Sequence, residues 1–249
     1  MSIFRNVVFL AVAAGLAAGL VMTVMQTFYT VPLILQAETF ENAGQAHDHT
    51  AAPAVSDEAS TDAAVVHEHE HEGWAPADGT ERTAYTALAN IVTGIGLGLL
   101  LVVASEVAGG IQGWRRGLFW GFAGFAAFTL APGLGLPPEL PGMPAADLLA
   151  RQVWWIATVA ATAAGLWFIA FGGSSVIAIA GAALLIAPHV VGAPQPVSHE
   201  TLVPVDLHHQ FIVAVTLTNL VFWMLLGVTV AYLRPRLATG LGAPQGGIV

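Results

Sequence analysis

Long apolar runs alternate with short polar segments along the whole chain. A run of about 20 apolar residues suffices for a helix to cross the hydrocarbon core of a bilayer. The pattern predicts six such helices, at about 3–29, 85–105, 117–131, 152–171, 174–191 and 210–233. Only Gly172 and Gly173 interrupt the fourth and fifth runs, which indicates a tight helical hairpin. We therefore expect an all-α, polytopic integral membrane bundle in which residues 1–249 form a single membrane domain.

Three features at the boundaries of these runs need interpretation. Arg5 followed by an apolar run also fits a signal peptide, but the run exceeds the length of a signal's apolar core, so we interpret it as an uncleaved span. Residues 38–82 are rich in Ala, Glu, Asp, His, Thr and Pro, a composition that predicts a disordered loop. Residues 133–144 read GLGLPPELPGMP, and their prolines predict an irregular segment.

Composition supports a membrane protein and excludes several other classes. The chain is 56% hydrophobic and 9% charged, whereas a soluble domain carries roughly a quarter charged residues. It has a net charge of −9 and no lysine, so no basic patch exists for nucleic acid. Cysteine is absent, which excludes thiolate metal sites, disulfides and cysteine nucleophiles.

The arginines are distributed unequally between the two ends of a six-span bundle. One end carries Arg5, Arg115, Arg116, Arg234 and Arg236, and the other carries only Arg82 and Arg151. The positive-inside rule makes the first end cytoplasmic, so both termini are expected in the cytoplasm. Every segment that contains histidine then lies outside or at the outer membrane face.

The polar loop contains two histidine motifs, HDH and HEHEHE, surrounded by carboxylates. Imidazole and carboxylate together bind first-row divalent metals, which makes this loop a candidate for metal capture. The alternative is a solvated acidic linker whose histidines are incidental. The candidate ligands are His47, His49, His67, His69 and His71.

A second group of candidate ligands comes from four regions that the predicted topology brings to the outer face. These residues are Glu38, Glu41, Glu139, His189, Asp206, His208 and His209. We expect them to converge on an outer vestibule. His189 is the most informative, because an ionisable residue within a span is costly and usually faces a partner or a cavity. The alternatives are a ring at headgroup depth for His189 and a wet helix start for Asp206, His208 and His209.

Two further patterns concern helix packing and charge at the inner face. Two small residues spaced four positions apart lie on the same helix face and let another helix approach closely. Glu106 either receives a cation on the cytoplasmic side or pairs with Arg115 or Arg116, and we favour the ion pair. No nucleotide-binding motif is present, since no lysine exists to hold a phosphate. The small-residue pairs are Gly15 and Gly19, Gly94 and Gly98, and Gly117 and Gly121.

Four stretches carry a resemblance to a known family. They are QTFYTVPLILQAETFE at 26–41, GFAAFTLAPGLGLPPELPGMPAADLLARQVWW at 124–155, APHVVGAPQP at 187–196 and QFIVAVTLTNLVFWMLLG at 210–227. In these the chain resembles the CbtA family of cobalt transporter subunits. The resemblance implies divalent cobalt uptake across the bacterial inner membrane, with a small single-span CbtB-like partner. The polar residues that it carries over are Glu38, Glu41, Glu139, Arg151, His189 and Gln210.

We therefore expect the membrane subunit of a divalent metal uptake transporter rather than an enzyme. Its cargo would be Co²⁺ ahead of Ni²⁺ or Zn²⁺, with no organic cofactor. One rival is a non-transporting metal-binding accessory or sensor, favoured by the few polar residues within the spans (Gln26, Asn90 and Asn219). A haem or quinone redox subunit is a weaker rival, because it needs paired histidines within the spans and only His189 qualifies.

Overall fold

The computed structural model describes residues 2–48 and 76–239, and every regular element in those two ranges is a helix. The two helices on either side of Gly172 and Gly173 form the predicted hairpin. The elements are α1 (Ser2–Tyr29), α2 (Val31–Asp48), α3 (Thr80–Val107), α4 (Trp114–Phe125), a π-helical segment (Ala126–Leu130), α5 (Ala131–Gly135), α6 (Leu148–Phe171), α7 (Ser175–Val191) and α8 (Val205–Thr239).

Five stretches of helix in the described ranges are long and apolar enough to cross a membrane. They are Phe4–Tyr29, Thr80–Val107, Trp114–Gly135, Leu148–Phe171 and Val205–Leu237. A shorter apolar helix, Ser175–Val191, accompanies them. The predicted all-helical, polytopic membrane fold is thus confirmed.

Helices α1 and α3 pack through the glycines that the sequence pattern singled out. A Cβ atom on Gly94 would lie 2.7 Å from the backbone oxygen of Gly15, and one on Gly98 would lie 3.1 Å from the oxygen of Ala11. One on Gly19 would lie 2.8 Å from the oxygen of Asn90. Because these distances leave no room for a side chain, the two backbones are in direct contact over two helical turns.

Two other helix pairs use the same device. In the α4–α8 pair, a Cβ on Gly117 would lie 2.6 Å from the oxygen of Gly227. In the α6–α7 pair, Gly165 and Gly181 face each other, and a Cβ on either would lie 2.7 Å from the other's oxygen. Helix α8 also packs on α1, so it links the first two pairs.

The main apolar core lies where α8 meets α1, α3 and α4. On α8, Leu226 and Val230 are fully buried, and Trp223 is nearly so. They belong to one cluster with Leu10 of α1 and Val102 of α3. This core therefore depends on α8, the longest helix among the described residues.

The third span was predicted to end at residue 131, just before Pro132, but the helix continues past this proline. A proline ring clashes with the carbonyl four residues earlier in an α-helix. Here the π-helical segment Ala126–Leu130 precedes Pro132, and its wider turn lets the helix continue to Gly135. Phe128 in this segment packs on Trp155 of α6 and Trp223 of α8, at ring-centroid distances of 6.1 and 5.4 Å. The segment thereby connects the α6–α7 pair to the central helix.

The predicted bounds of the polar loop, 38–82, are too wide at both ends. Helix α2 continues to Asp48, and α3 begins at Thr80. Helical hydrogen bonding persists across the α1–α2 junction, where Ile34 N donates to the oxygen of Thr30 at 3.0 Å. Sequence composition suggested a loop because residues 38–48 are mostly polar, but α2 packs on the bundle at Ala37, which is fully buried.

The helix termini gather at two opposite ends of the bundle. At the first, Ala37 of α2 packs with Leu140 of the Pro-rich segment and with Val203, Leu207 and Phe211 at the start of α8. We call this the α2 end. At the second, Asn6, Glu106, Gln112 and Arg234 line a cavity of about 400 Å³. We call this the Glu106 end.

We expect Gly94→Ala to lower the stability of the protein. The new methyl group would meet the backbone of Gly15, and overpacking of this kind costs about 1–3 kcal/mol. Thermal unfolding in detergent should show a melting temperature several degrees below wild type.

Gly96→Ala is the matched control, two residues away on the same helix. A Cβ at Gly96 meets no atom within 4 Å. Its melting temperature should equal or exceed that of wild type, because alanine is the better helix former. Equal melting temperatures for the two variants would contradict the close α1–α3 contact.

Candidate functional site

The α2 end brings together most of the predicted ligands that lie within the described ranges. Glu38 and Glu41 lie on α2, Glu139 lies in the Pro-rich segment, and His189 lies in the last turn of α7. Asp206, His208 and His209 lie in the first turns of α8. The predicted grouping at one end is therefore present, and its geometry decides what these side chains can bind.

Glu38 is held by an arginine of the neighbouring helix. Its Oε1 lies 2.7 Å from Nη2 of Arg82 in α3, and Nη1 of the same guanidinium lies 2.9 Å from Oδ1 of Asp78. The Glu38 side chain is 31% exposed, so this pair lies at the edge of the bundle rather than in its core. Each guanidinium–carboxylate contact neutralises a charge that would otherwise face the membrane boundary.

Glu139 is held in the same way. Its Oε2 lies 2.9 Å from Nη2 of Arg151 in the first turn of α6. Arg82 and Arg151 are the two arginines that the sequence analysis assigned to this face, and each one is paired with a predicted metal ligand. The sequence analysis used both as markers of topology and did not predict these ion pairs. The sequence did contain a signal for these ion pairs, because two arginines among several carboxylates at one face are expected to pair with them.

Glu41 and His208 help to fix the Pro-rich segment. A Cβ on Gly142 would lie 3.2 Å from the Cβ of Glu41, so α2 passes directly over this turn. Nε2 of His208 lies 3.0 Å from the backbone oxygen of Pro138. A hydrogen bond from Nε2 to that oxygen leaves the lone pair on Nδ1 of His208. Asp206 and His209, in contrast, are exposed.

His189 lies at the contact between α6 and α7. Its ring meets Trp154 edge to face at a centroid distance of 6.1 Å, and it is only partly buried. Nε1 of Trp154 donates a hydrogen bond of 3.3 Å to the oxygen of the adjacent Pro188. Because proline has no N–H, the carbonyl of Leu184 lacks its usual helical donor. His189 is thus positioned by an aromatic contact, and its hydrogen-bonding capacity is not used by the indole.

The loop histidines fall largely outside the described residues. His47 is in the last turn of α2, while His49, His67, His69 and His71 lie in the range 49–75 that the structure does not describe. Within the described ranges, no group of three or more His, Asp or Glu side chains is close enough to hold a metal ion. The predicted outer ligands share one end of the bundle without forming a coordination shell there.

The Glu106 end contains a further ion pair. Oε1 and Oε2 of Glu106 accept hydrogen bonds from Nε and Nη2 of Arg234, at 2.6 and 2.9 Å. The expected pairing with Arg115 or Arg116 is therefore wrong. The Gly109–Gly110 turn explains the choice: the backbone of Gly110, with φ +80°, lies against the Arg234 guanidinium and leaves it in reach of α3.

Comparison with known proteins gives one match. A family model described as "Probable cobalt transporter subunit (CbtA)" matches residues 4–234, nearly the whole chain. Neither the curated proteins nor the solved structures contain a match.

The docking of α2 can be tested by cysteine labelling, since the chain has no cysteine of its own. Ala37 is fully buried and Thr39, two residues later, is exposed. We expect Ala37→Cys to react with a membrane-impermeant maleimide at least tenfold more slowly than Thr39→Cys. Equal labelling rates would show that α2 does not rest on the Pro-rich segment and α8.

Proposed function

Because the chain belongs to the CbtA family, described as probable cobalt transporter subunits, we propose that it is the membrane subunit of a divalent cobalt uptake system. The observation that carries this proposal is the extent of the match, residues 4–234, which takes in nearly all of the five membrane-crossing helices among the described residues. The cargo is Co²⁺, with Ni²⁺ and Zn²⁺ as the competitors to test. The ion is a substrate, and the reaction is transport rather than chemistry.

Uptake requires a defined orientation. We place the Glu106 end in the cytoplasm and the α2 end outside, in the cell membrane of a bacterium. The distribution of arginines supports this, because five of the seven lie at or near the Glu106 end. With the inside negative, inward movement of a doubly charged ion is favoured by about 4.6 kcal/mol per 100 mV.

Capture is the role that we assign to the histidine-rich segment. Its residues His47, His49, His67, His69 and His71 alternate with carboxylates, so it offers many weak ligand sets for one cation. A segment of this kind raises the local metal concentration without forming a path.

The α2 end then receives the ion. Arg82 and Arg151 neutralise Glu38 and Glu139. An arriving dication competes with each guanidinium for its carboxylate. Glu41, His189, Asp206, His208 and His209 provide further nitrogen and oxygen ligands at the same end of the bundle.

A partner is implied by the word "subunit" in the family description. We propose that it is a small single-span, CbtB-like membrane protein. Its transmembrane helix would extend the bundle, and the lipid bilayer surrounds both chains.

A second candidate function is a metal-binding accessory or sensor that does not transport. The observation in its favour is that the described residues include no ready three-ligand site. Accumulation of labelled Co²⁺ in cells or vesicles separates the two candidates, because an accessory protein binds metal without moving it.

Replacement of all five loop histidines by glutamine should raise the Co²⁺ concentration needed for half-maximal uptake severalfold. The maximal rate should stay close to wild type, because in this proposal these ligands act on capture alone. Uptake of labelled Co²⁺ over a metal titration measures both quantities, with His199→Gln in the polar link as the control. Loss of uptake at saturating Co²⁺ would make the loop the transport site and refute this division of roles.

Reporter fusions test the orientation. Fusions at Ala77 and Gln195, next to the α2 end, should report an extracytoplasmic location, and a fusion at Gly113 should report a cytoplasmic one. The physical reason is the arginine excess at the Glu106 end. A cytoplasmic signal at Ala77 would place the α2 end in the cytoplasm and contradict the proposed orientation.

A further inference from the structure

The contact surface between α1 and α3 changes character along its length. Near the α2 end both helices carry polar side chains at helical spacing: Arg82, Thr86 and Asn90 on α3, and Thr23 and Gln26 on α1. Further along, the same faces carry the close-packed glycines. We call the polar half the α1–α3 seam.

One set of contacts joins the two helices within this seam. Nδ2 of Asn90 donates hydrogen bonds to Oε1 of Gln26 at 2.7 Å and to Oγ1 of Thr23 at 3.1 Å. Thr23 is buried and its hydroxyl donates to the oxygen of Gly19, so its second lone pair is directed across the seam. Two oxygens of α1 therefore converge on a single amide of α3.

The remaining amide atoms are available. Oδ1 of Asn90 and Nε2 of Gln26 have no hydrogen-bond partner among the residues that the structure describes. A half-turn of the Asn90 amide would replace its NH₂ group by Oδ1. Three neutral oxygens, from Thr23, Gln26 and Asn90, would then lie side by side and could bind one face of a cation.

The location of this cluster links it to the α2 end. Asn90 follows Arg82 by two helical turns, which corresponds to about 12 Å along the helix axis. Gly94, at the closest α1–α3 contact, follows one turn later. The cluster thus lies where the close α1–α3 contact begins, on the side of the Glu38–Arg82 ion pair.

We propose that Thr23, Gln26 and Asn90 form an intramembrane oxygen site that binds a partly dehydrated divalent cation after it leaves the α2 end. Amide and hydroxyl oxygens replace part of the water shell of the ion, and the remaining ligands stay water. Neutral ligands suit this depth, because an empty carboxylate site would leave a costly buried charge. They also bind weakly enough to release the ion. The inference rests on the proposed transport function and adds the site to it.

The contrasting interpretation is a static polar contact that only joins two helices. Such contacts between membrane helices contribute about 0.6 kcal/mol on average. Two matched controls distinguish it. Asn219 lies within the α8 span but donates only to its own helix, to the oxygen of Val215 at 2.9 Å. Thr218 is buried like Thr23 and donates to Ala214 and Val215 of its own helix.

The experiment compares the variants Asn90→Leu and Thr23→Val with Asn219→Leu and Thr218→Val. Each full-length chain is expressed together with its partner subunit, and labelled Co²⁺ uptake is measured over a metal titration and normalised to the amount of protein in the membrane. We expect Asn90→Leu to lower the maximal rate at least tenfold and Thr23→Val about threefold or more. The half-saturating concentration set by the loop should change little, and both controls should stay within twofold of wild type.

Three outcomes would overturn parts of this scheme. Uptake by Asn90→Leu within twofold of Asn219→Leu refutes the oxygen site and leaves the transport function intact. Absence of uptake by the wild-type chain with its partner refutes the proposed function, and the site with it. Should Asn90→Leu fail to reach the membrane, the Thr23→Val and Thr218→Val pair decides, and equal rates for these two refute the site.

Discussion

Direct backbone contact between helices is the constraint on which this bundle depends. Inside a bilayer, apolar side chains gain little by leaving lipid for one another, so helices associate through close packing and polar contacts. Three helix pairs meet this requirement with glycine: Gly15 with Gly94, Gly117 with Gly227, and Gly165 with Gly181. The central helix α8 combines the first two pairs through the buried Leu226 and Val230. Aromatic rings, rather than glycines, connect the third pair, since Phe128 packs between Trp155 and Trp223.

The apolar interior of the bilayer also determines where the charged residues lie. Ion pairs with arginine occur at both ends of the bundle, Glu38–Arg82 and Glu139–Arg151 at the α2 end and Glu106–Arg234 at the Glu106 end. Glu38–Arg82 and Glu106–Arg234 each join two helices, and Glu139–Arg151 joins the Pro-rich segment to α6. At the α2 end, the carboxylates of Glu38 and Glu139 therefore already have a positively charged partner.

Local patterns in the sequence predicted what local physics controls. Apolar length identified the spans, and a spacing of four identified Gly15, Gly19, Gly94 and Gly98 as a packing face. Features that depend on distant segments were not predictable in this way. Helix α2 is stabilised by Leu140 and Leu207, about a hundred residues or more along the chain, so its own composition suggested a loop. Glu106 selects Arg234 over the nearby Arg115 because the Gly109–Gly110 turn directs the chain, and no spacing rule encodes that choice. The convergence of the outer ligands was predicted as a face, but their pairing with Arg82 and Arg151 was not.

The glycine contacts also determine what must change for an ion to pass between α1 and α3. Below Asn90 the backbones of α1 and α3 touch at Gly15 and Gly94, and no hydrated ion fits between atoms that exclude even a methyl group. The structure is therefore closed at this level. Pro32 has no N–H to donate, but helical hydrogen bonds on either side of it keep α1 and α2 joined. The Glu38–Arg82 ion pair in turn joins α2 to α3, so the α2 end is connected directly to the helix that makes this close contact.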